Sequence, residues 1–142
     1  MRQKGFATIF GLCLILVAAL IVKGINDAET NHAREVINFE TEQILQRAAE
    51  SAIVEAAANL PFDKTKIIDA TKTFNNGRRS FQVHVEAWQE HGNIVVNDVG
   101  EPGFYIMSRA TTDDDFFGEK IYRRAYAYIL DGDTTIRFME LP

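Results

Sequence analysis

The side chains with the most chemistry to offer are three histidines, His32, His84 and His91, one cysteine and a run of aspartates. None of the histidines stands in a CxxC, HxxxH or HExxH neighbourhood, so their spacing does not predict a zinc site. Asp113-Asp114-Asp115 with Glu119 offers oxygen ligands of the kind calcium prefers. The EF-hand spacing is absent, and a solvated acidic turn is the better reading. Asp131 and Asp133 flank Gly132 as turn formers. No serine sits in a nucleophile elbow, and no glycine-rich loop could cradle a phosphate. The sequence therefore predicts no catalytic residue, no metal ligand and no cofactor, which points away from an enzyme. Tyr122, Tyr126 and Tyr128 share a strand face with Arg124. Cross-strand packing accounts for them, with an adhesive surface as the sharper alternative, and Trp88 reads the same way.

Composition narrows the classes further. The chain has 142 residues and a net charge of −5. An acidic protein is poorly suited to nucleic acid or anionic membranes through bulk charge. Arg78-Arg79 and Arg123-Arg124 are local basic pairs, read as solvated sheet-edge or loop charge. Cys13 is the only cysteine. Any head domain must hold by packing, without a disulfide of its own.

The elements that would carry these residues begin with an apolar stretch. Met1-Arg2-Gln3-Lys4-Gly5 is basic, and Phe6 to Val22 carries no charge. At about 1.5 Å per residue this run covers about 25 Å of a roughly 30 Å hydrocarbon core. Lys23 can snorkel while Ile21, Val22 and Ile25 complete the crossing. Arg2, Lys4 and the amino terminus hold that end in the cytoplasm, and the chain after Lys23 is exported. A cleaved secretory signal fits less well, because the run is long and Lys23-Gly24-Ile25-Asn26 offers no small-x-small site. Leu12 before Cys13 excludes a lipobox. A plain membrane anchor fits as well.

Helix is expected to continue from Asn26 to Asn59. Val36, Ile37, Ile44, Leu45, Ala48, Ala49, Ala52, Ile53, Ala56, Ala57 and Leu60 recur in steps of three and four, with Glu40, Gln43, Arg47 and Glu50 opposite. Pro61 ends it. Residues 61–79 are expected to connect helix to sheet, with a short helix capped by Asp63 and a turn at Asn75-Asn76-Gly77. From Ser80 the period becomes two. Expected strands follow Phe81 to Ala87, a turn at Glu90 to Asn93, Ile94 to Val96, a loop at Gly100 to Gly103, Phe104 to Thr112, Lys120 to Leu130 and Thr134 to Leu141. Short connections imply an antiparallel meander. The fold class is α+β: one very long amino-terminal helix, its first half membrane-embedded and its second amphipathic, packed on a four- to five-stranded antiparallel sheet.

Lys4-Gly5-Phe6 before a long apolar helix, followed by such a sheet, resembles the type IV pilin and pseudopilin family. The resemblance implies a leader of residues 1–5, cleavage between Gly5 and Phe6 by a prepilin peptidase, and methylation of Phe6. It implies a filament-core segment over 6–25, an amphipathic segment over 26–60, a connection over 61–79 and a sheet-bearing head over 80–142. Loss of Arg2 and Lys4 would take the charge to −7. The implied partners are sister subunits through the helix, the peptidase, the inner-membrane assembly platform, and lipid before assembly. In the family the helix loosens near glycine in the filament, which points to Gly24 and secondarily to Gly11. Filament-forming members usually carry glutamate at the fifth mature residue. Here it is Phe10, which implies a minor, initiating or tip subunit. An anchored extracytoplasmic binding or adhesion protein outside any filament is the alternative.

Overall fold

The computed structural model describes residues 2–59, 66–75, 77, 80–96, 98–112 and 121–140. Among the described residues there are one helix, α1 (Arg2–Ala58), and five strands: β1 (Lys66–Asn75), β2 (Ser80–Val96), β3 (Val99–Thr112), β4 (Tyr122–Leu130) and β5 (Arg137–Met139). The strands form a single antiparallel sheet in the order β1-β2-β3-β4-β5, a meander. The fold is α+β, as the change of period predicts. The chain divides into two compact units, residues 1–39 and 40–142.

In the second unit, the end of α1 lies on one face of the sheet. Leu45, Ala48, Ala49, Ala52, Ile53 and Ala56 are buried on the helix. They meet Ile68 of β1, Val83, Val85 and Ala87 of β2, Ile106 and Ala110 of β3, and Ala125, Ala127 and Ile129 of β4. Alanine on both sides lets backbone approach backbone closely. Ser108 Oγ donates a buried 2.7 Å hydrogen bond to the Ala49 carbonyl, fixing β3 against the helix. Ion pairs hold the flanks: Arg123 of β4 to Glu42 at 2.6 Å, and Lys72 of β1 to Glu55. The helix closes where Asn59 N–H donates to the Ala56 carbonyl and Asn59 Nδ2 to the Glu55 carbonyl. The buried face starts at Thr41. Val36, expected on it, is exposed.

Several expected boundaries are corrected. Residues 66–75 form a strand, not a connection or a short helix. Ile68, Ala70, Lys72 and Phe74 pair with Ala87, Val85, Val83 and Phe81, while Asp69, Thr71 and Thr73 take the other face. Threonine and β-branched residues with period two favour a pleated surface. The expected Asp63 cap and Pro61 stop lie outside the described residues. There is no turn at 90–93 and no loop at 100–103. β2 and β3 pair continuously until Val96 meets Val99, with Asp98 in the left-handed region (φ 65°) that aspartate tolerates. β5 is shorter than expected, because Asp133 Oδ1 accepts the Thr134 and Thr135 amides at 2.8 and 3.1 Å and holds them off the ladder. Arg123 is not simply solvated, since it pairs with Glu42. Residues Asp113 to Lys120, Arg78-Arg79 and Leu141 lie outside the described residues.

Gly92 and Gly103 face each other across β2 and β3. They are strand residues with different reasons to be glycine. A Cβ on Gly103 would collide with the Ile129 carbonyl oxygen and sit 2.5 Å from Ile94 Cδ1, while one on Gly92 meets nothing within 4 Å. Gly103→Ala should therefore destabilise the sheet by about 1–3 kcal/mol, and Gly92→Ala should be close to neutral. Urea unfolding of the detergent-solubilised full chain, followed by Trp88 fluorescence, checks both.

Candidate functional site: the apolar helix and the outer sheet face

The first unit is helix, and among the described residues its large apolar side chains are exposed. Phe6, Phe10, Leu12, Ile15, Leu20 and Ile25 are all more than half exposed. The helix is long and apolar enough to cross a membrane. The predicted leader residue Gly5 lies within α1. Phe6 and Phe10 stack one helical turn apart, ring centroids 6.5 Å apart and planes 14° from parallel. That is the i,i+4 geometry that aligns side chains on one face. The helix runs unbroken through Gly11 and Gly24, and a Cβ at either would meet nothing within 4 Å. Cys13 is exposed on the same apolar segment.

The second surface is the sheet face turned away from α1. Register aligns Thr71, His84, Thr111 and Tyr122 in one row and Asp69, Glu86, Arg109 and Arg124 in the next. Trp88, Met107, Tyr126 and Met139 make a third, and Tyr105, Tyr128 and Arg137 a fourth. Tyr122, Arg124, Tyr126 and Tyr128 thus share one face, as their spacing predicts. Arg109 lies over Trp88, Arg124 over Tyr122 and Arg137 over Tyr128, at 5.9, 5.3 and 5.8 Å from the ring centroids. Cation–π contact holds these aromatic rings against the sheet.

A polar cluster crosses β1, β2 and β3 on this face. Lys66 Nζ lies 2.7 Å from Asp69 Oδ2 and 2.9 Å from Glu86 Oε1. Arg109 Nη2 lies 2.6 Å from Glu86 Oε2. His84 Nε2 is 3.2 Å from Asp69 Oδ1 and 3.7 Å from Glu86 Oε1. The Lys66 hydrogen bond, with help from Arg109, holds the Glu86 carboxyl below the usual glutamate range. The bonds to Asp69 and Glu86 raise the Lys66 ammonium. The sequence reading did not bring these residues together. His84-x-Glu86 is visible in the sequence as an i,i+2 pair, but its third member lies on β1, where the sequence predicts a short helix and a connection. His91 sits apart, with Nε2 2.9 Å from Asp131 Oδ2 and its ring edge-on to Phe104.

A depressed carboxyl adds stability above its unfolded value and loses it as acid protonates the folded form. Stability of the full chain should fall as pH drops through and below the usual carboxylate range, and Glu86→Gln should flatten that fall. The raised Lys66 works oppositely: its contribution is intact at neutral pH and disappears only at strongly alkaline pH. Urea midpoints measured against pH test both signs.

No protein-family model matches the chain, no curated protein matches it, and no solved structure matches it.

Proposed function

We propose that the chain is a type IV pilin-like subunit. It would be cut by a prepilin peptidase between Gly5 and Phe6, methylated on Phe6, and assembled through its helix into a pilus or pseudopilus as a minor, initiating or tip subunit. One observation carries this reading. The same helix is exposed and uncharged from Phe6 to Val22 and buries one face, Thr41 to Ala56, under its own sheet. An apolar surface of this kind calls for a covering. Lipid can cover it before assembly, and the helices of sister subunits can cover it afterwards, apolar burial replacing lipid contact. The basic-Gly-Phe sequence at its start supports the same reading. The protein would insert with Arg2 and Lys4 inside and its head outside the cytoplasm.

Phe10 supports the minor or tip position. In the family the glutamate at this position is thought to neutralise the amino terminus of a neighbouring subunit. A phenylalanine there cannot, so a neighbour's ammonium would be buried without its counter-charge.

Intact mass and amino-terminal sequencing of the membrane-extracted protein test the reading. With the peptidase present the chain should begin at methylated Phe6, and without it at Met1. A start at Met1 in both cases would instead favour an anchored binding protein, for which the aromatic and arginine face of the sheet would be the contact surface. Phe10→Glu should move the subunit from rare positions to regular incorporation along the shaft, read by immunogold counting. A wild-type subunit already stoichiometric along the shaft would refute the tip assignment.

A further inference from the structure

We propose that Asp69, His84 and Glu86 form a divalent transition-metal site on the outer face of the sheet, with Lys66 as the resident cation that a metal must displace. The inference is independent of filament assembly. One ligand atom from each of the three residues lies within 4.8 Å of the other two. The positions come from the ladder. Asp69 and Glu86 are direct cross-strand partners on β1 and β2, and His84 is two residues from Glu86 on the same face. A pleated sheet fixes such positions more firmly than a loop does.

The separations suit a small ion. Tetrahedral zinc with bonds of about 2.0–2.2 Å sets neighbouring ligand atoms roughly 3.3–3.6 Å apart. His84 Nε2 stands 3.2 Å from Asp69 Oδ1 and 3.7 Å from Glu86 Oε1. The two carboxylate oxygens lie within 4.8 Å of each other, so side-chain rotation that draws them together would set all three atoms on one ion, with water in the fourth position. One nitrogen and two oxygen donors favour a transition ion over calcium, which takes six to eight oxygens.

Two cations already serve these carboxylates. Lys66 bridges Asp69 and Glu86, and Arg109 holds the second oxygen of Glu86. Arg109 fixes Glu86 from outside the proposed triad and can stay as its orienting partner. Lys66 occupies the space between the carboxylates and would have to leave. Its side chain is partly exposed and can swing into solvent. The lysine therefore sets the affinity. It neutralises the pair in the absence of metal and competes with metal for the same oxygens.

Zinc titration of the full chain in detergent micelles tests this, by calorimetry and by the fluorescence of Trp88. That residue is the only tryptophan, and it pairs with Lys66 across the ladder. Wild type should bind one zinc ion at this site, and calcium at the same concentration should not compete. His84→Ala and Asp69→Asn should each weaken binding more than about tenfold. His91→Ala should leave it unchanged. Lys66→Ala should tighten it several-fold, an outcome that loss of folding cannot mimic. Zinc affinity unchanged in His84→Ala, or weakened in Lys66→Ala, would overturn the proposal.

Discussion

The close approach of α1 to the sheet is the contact on which the rest of the second unit depends. Ala48, Ala49, Ala52 and Ala56 on the helix face Ala87, Ala110, Ala125 and Ala127 on the strands. Small residues on both surfaces bring the two backbones near enough for Ser108 to bond the Ala49 carbonyl. That bond runs from the middle of the sheet to the middle of the buried helical segment. Leu45, Ile53, Ile106 and Ile129 fill the space around it, and each aliphatic side chain so buried contributes about 1.5–3 kcal/mol. A chain whose one cysteine lies in its apolar segment has no disulfide to add, so packing density carries the stability. Larger side chains along this seam would lift the helix, break the Ser108 bond and pull the Glu42–Arg123 and Glu55–Lys72 pairs apart together.

Along its length α1 carries two different apolar patterns. After Thr41 its apolar residues recur in steps of three and four, because one side faces the sheet and the other faces water. Before Lys23 they occur all round, the pattern of a helix with no polar side. Exposure follows that division: Ala49 and Ile53 are fully buried, while Ile15 and Leu20 are more than half exposed. An exposed leucine is ordinary on a globular surface, but a helix apolar on every side is not. Between the two patterns, Asn26 to Arg34 is mostly polar and exposed.

Helix and core were legible in the sequence because each obeys a single periodicity over many residues. Leu45 through Ala56 and Val83 through Ala87 fall on the faces that their spacing predicts. The boundaries failed where a local turn signal competed with a long-range constraint. Gly92 and Gly100 to Gly103 look like turns by composition, yet the ladder runs through them. Gly103 is small because the Ile129 carbonyl and the Ile94 side chain crowd it. That crowding exists only after β4 and β2 have folded against β3, so nothing adjacent in sequence announces it. The true turn hides between two valines, at Val96 and Val99. β1 was missed for a related reason. Lys66 to Ala70 carries Ile-Ile between charged residues, which suits a short amphipathic helix as well as a strand until Val83, Val85 and Ala87 are available to pair.

Losing β1 also concealed the polar cluster, and its electrostatics explain why the cluster has the composition it does. Asp69 and Glu86 stand directly opposite each other in the ladder. Two carboxylates at that spacing repel, and a like-charge cross-strand pair costs stability. The sheet tolerates it because Lys66 inserts between them and Arg109 takes the far side of Glu86. The Lys66–Ile68 irregularity, where pairing skips a residue, sets Lys66 opposite Trp88. That places the ammonium within reach of both acids. Without Lys66 the same two acids and His84 would face one another with a single neighbouring guanidinium, an arrangement that favours capture of a second cation. The structure thus couples a register irregularity at the start of β1 to the charge state of the middle of the sheet. That coupling can be seen only once both strands and their register are known.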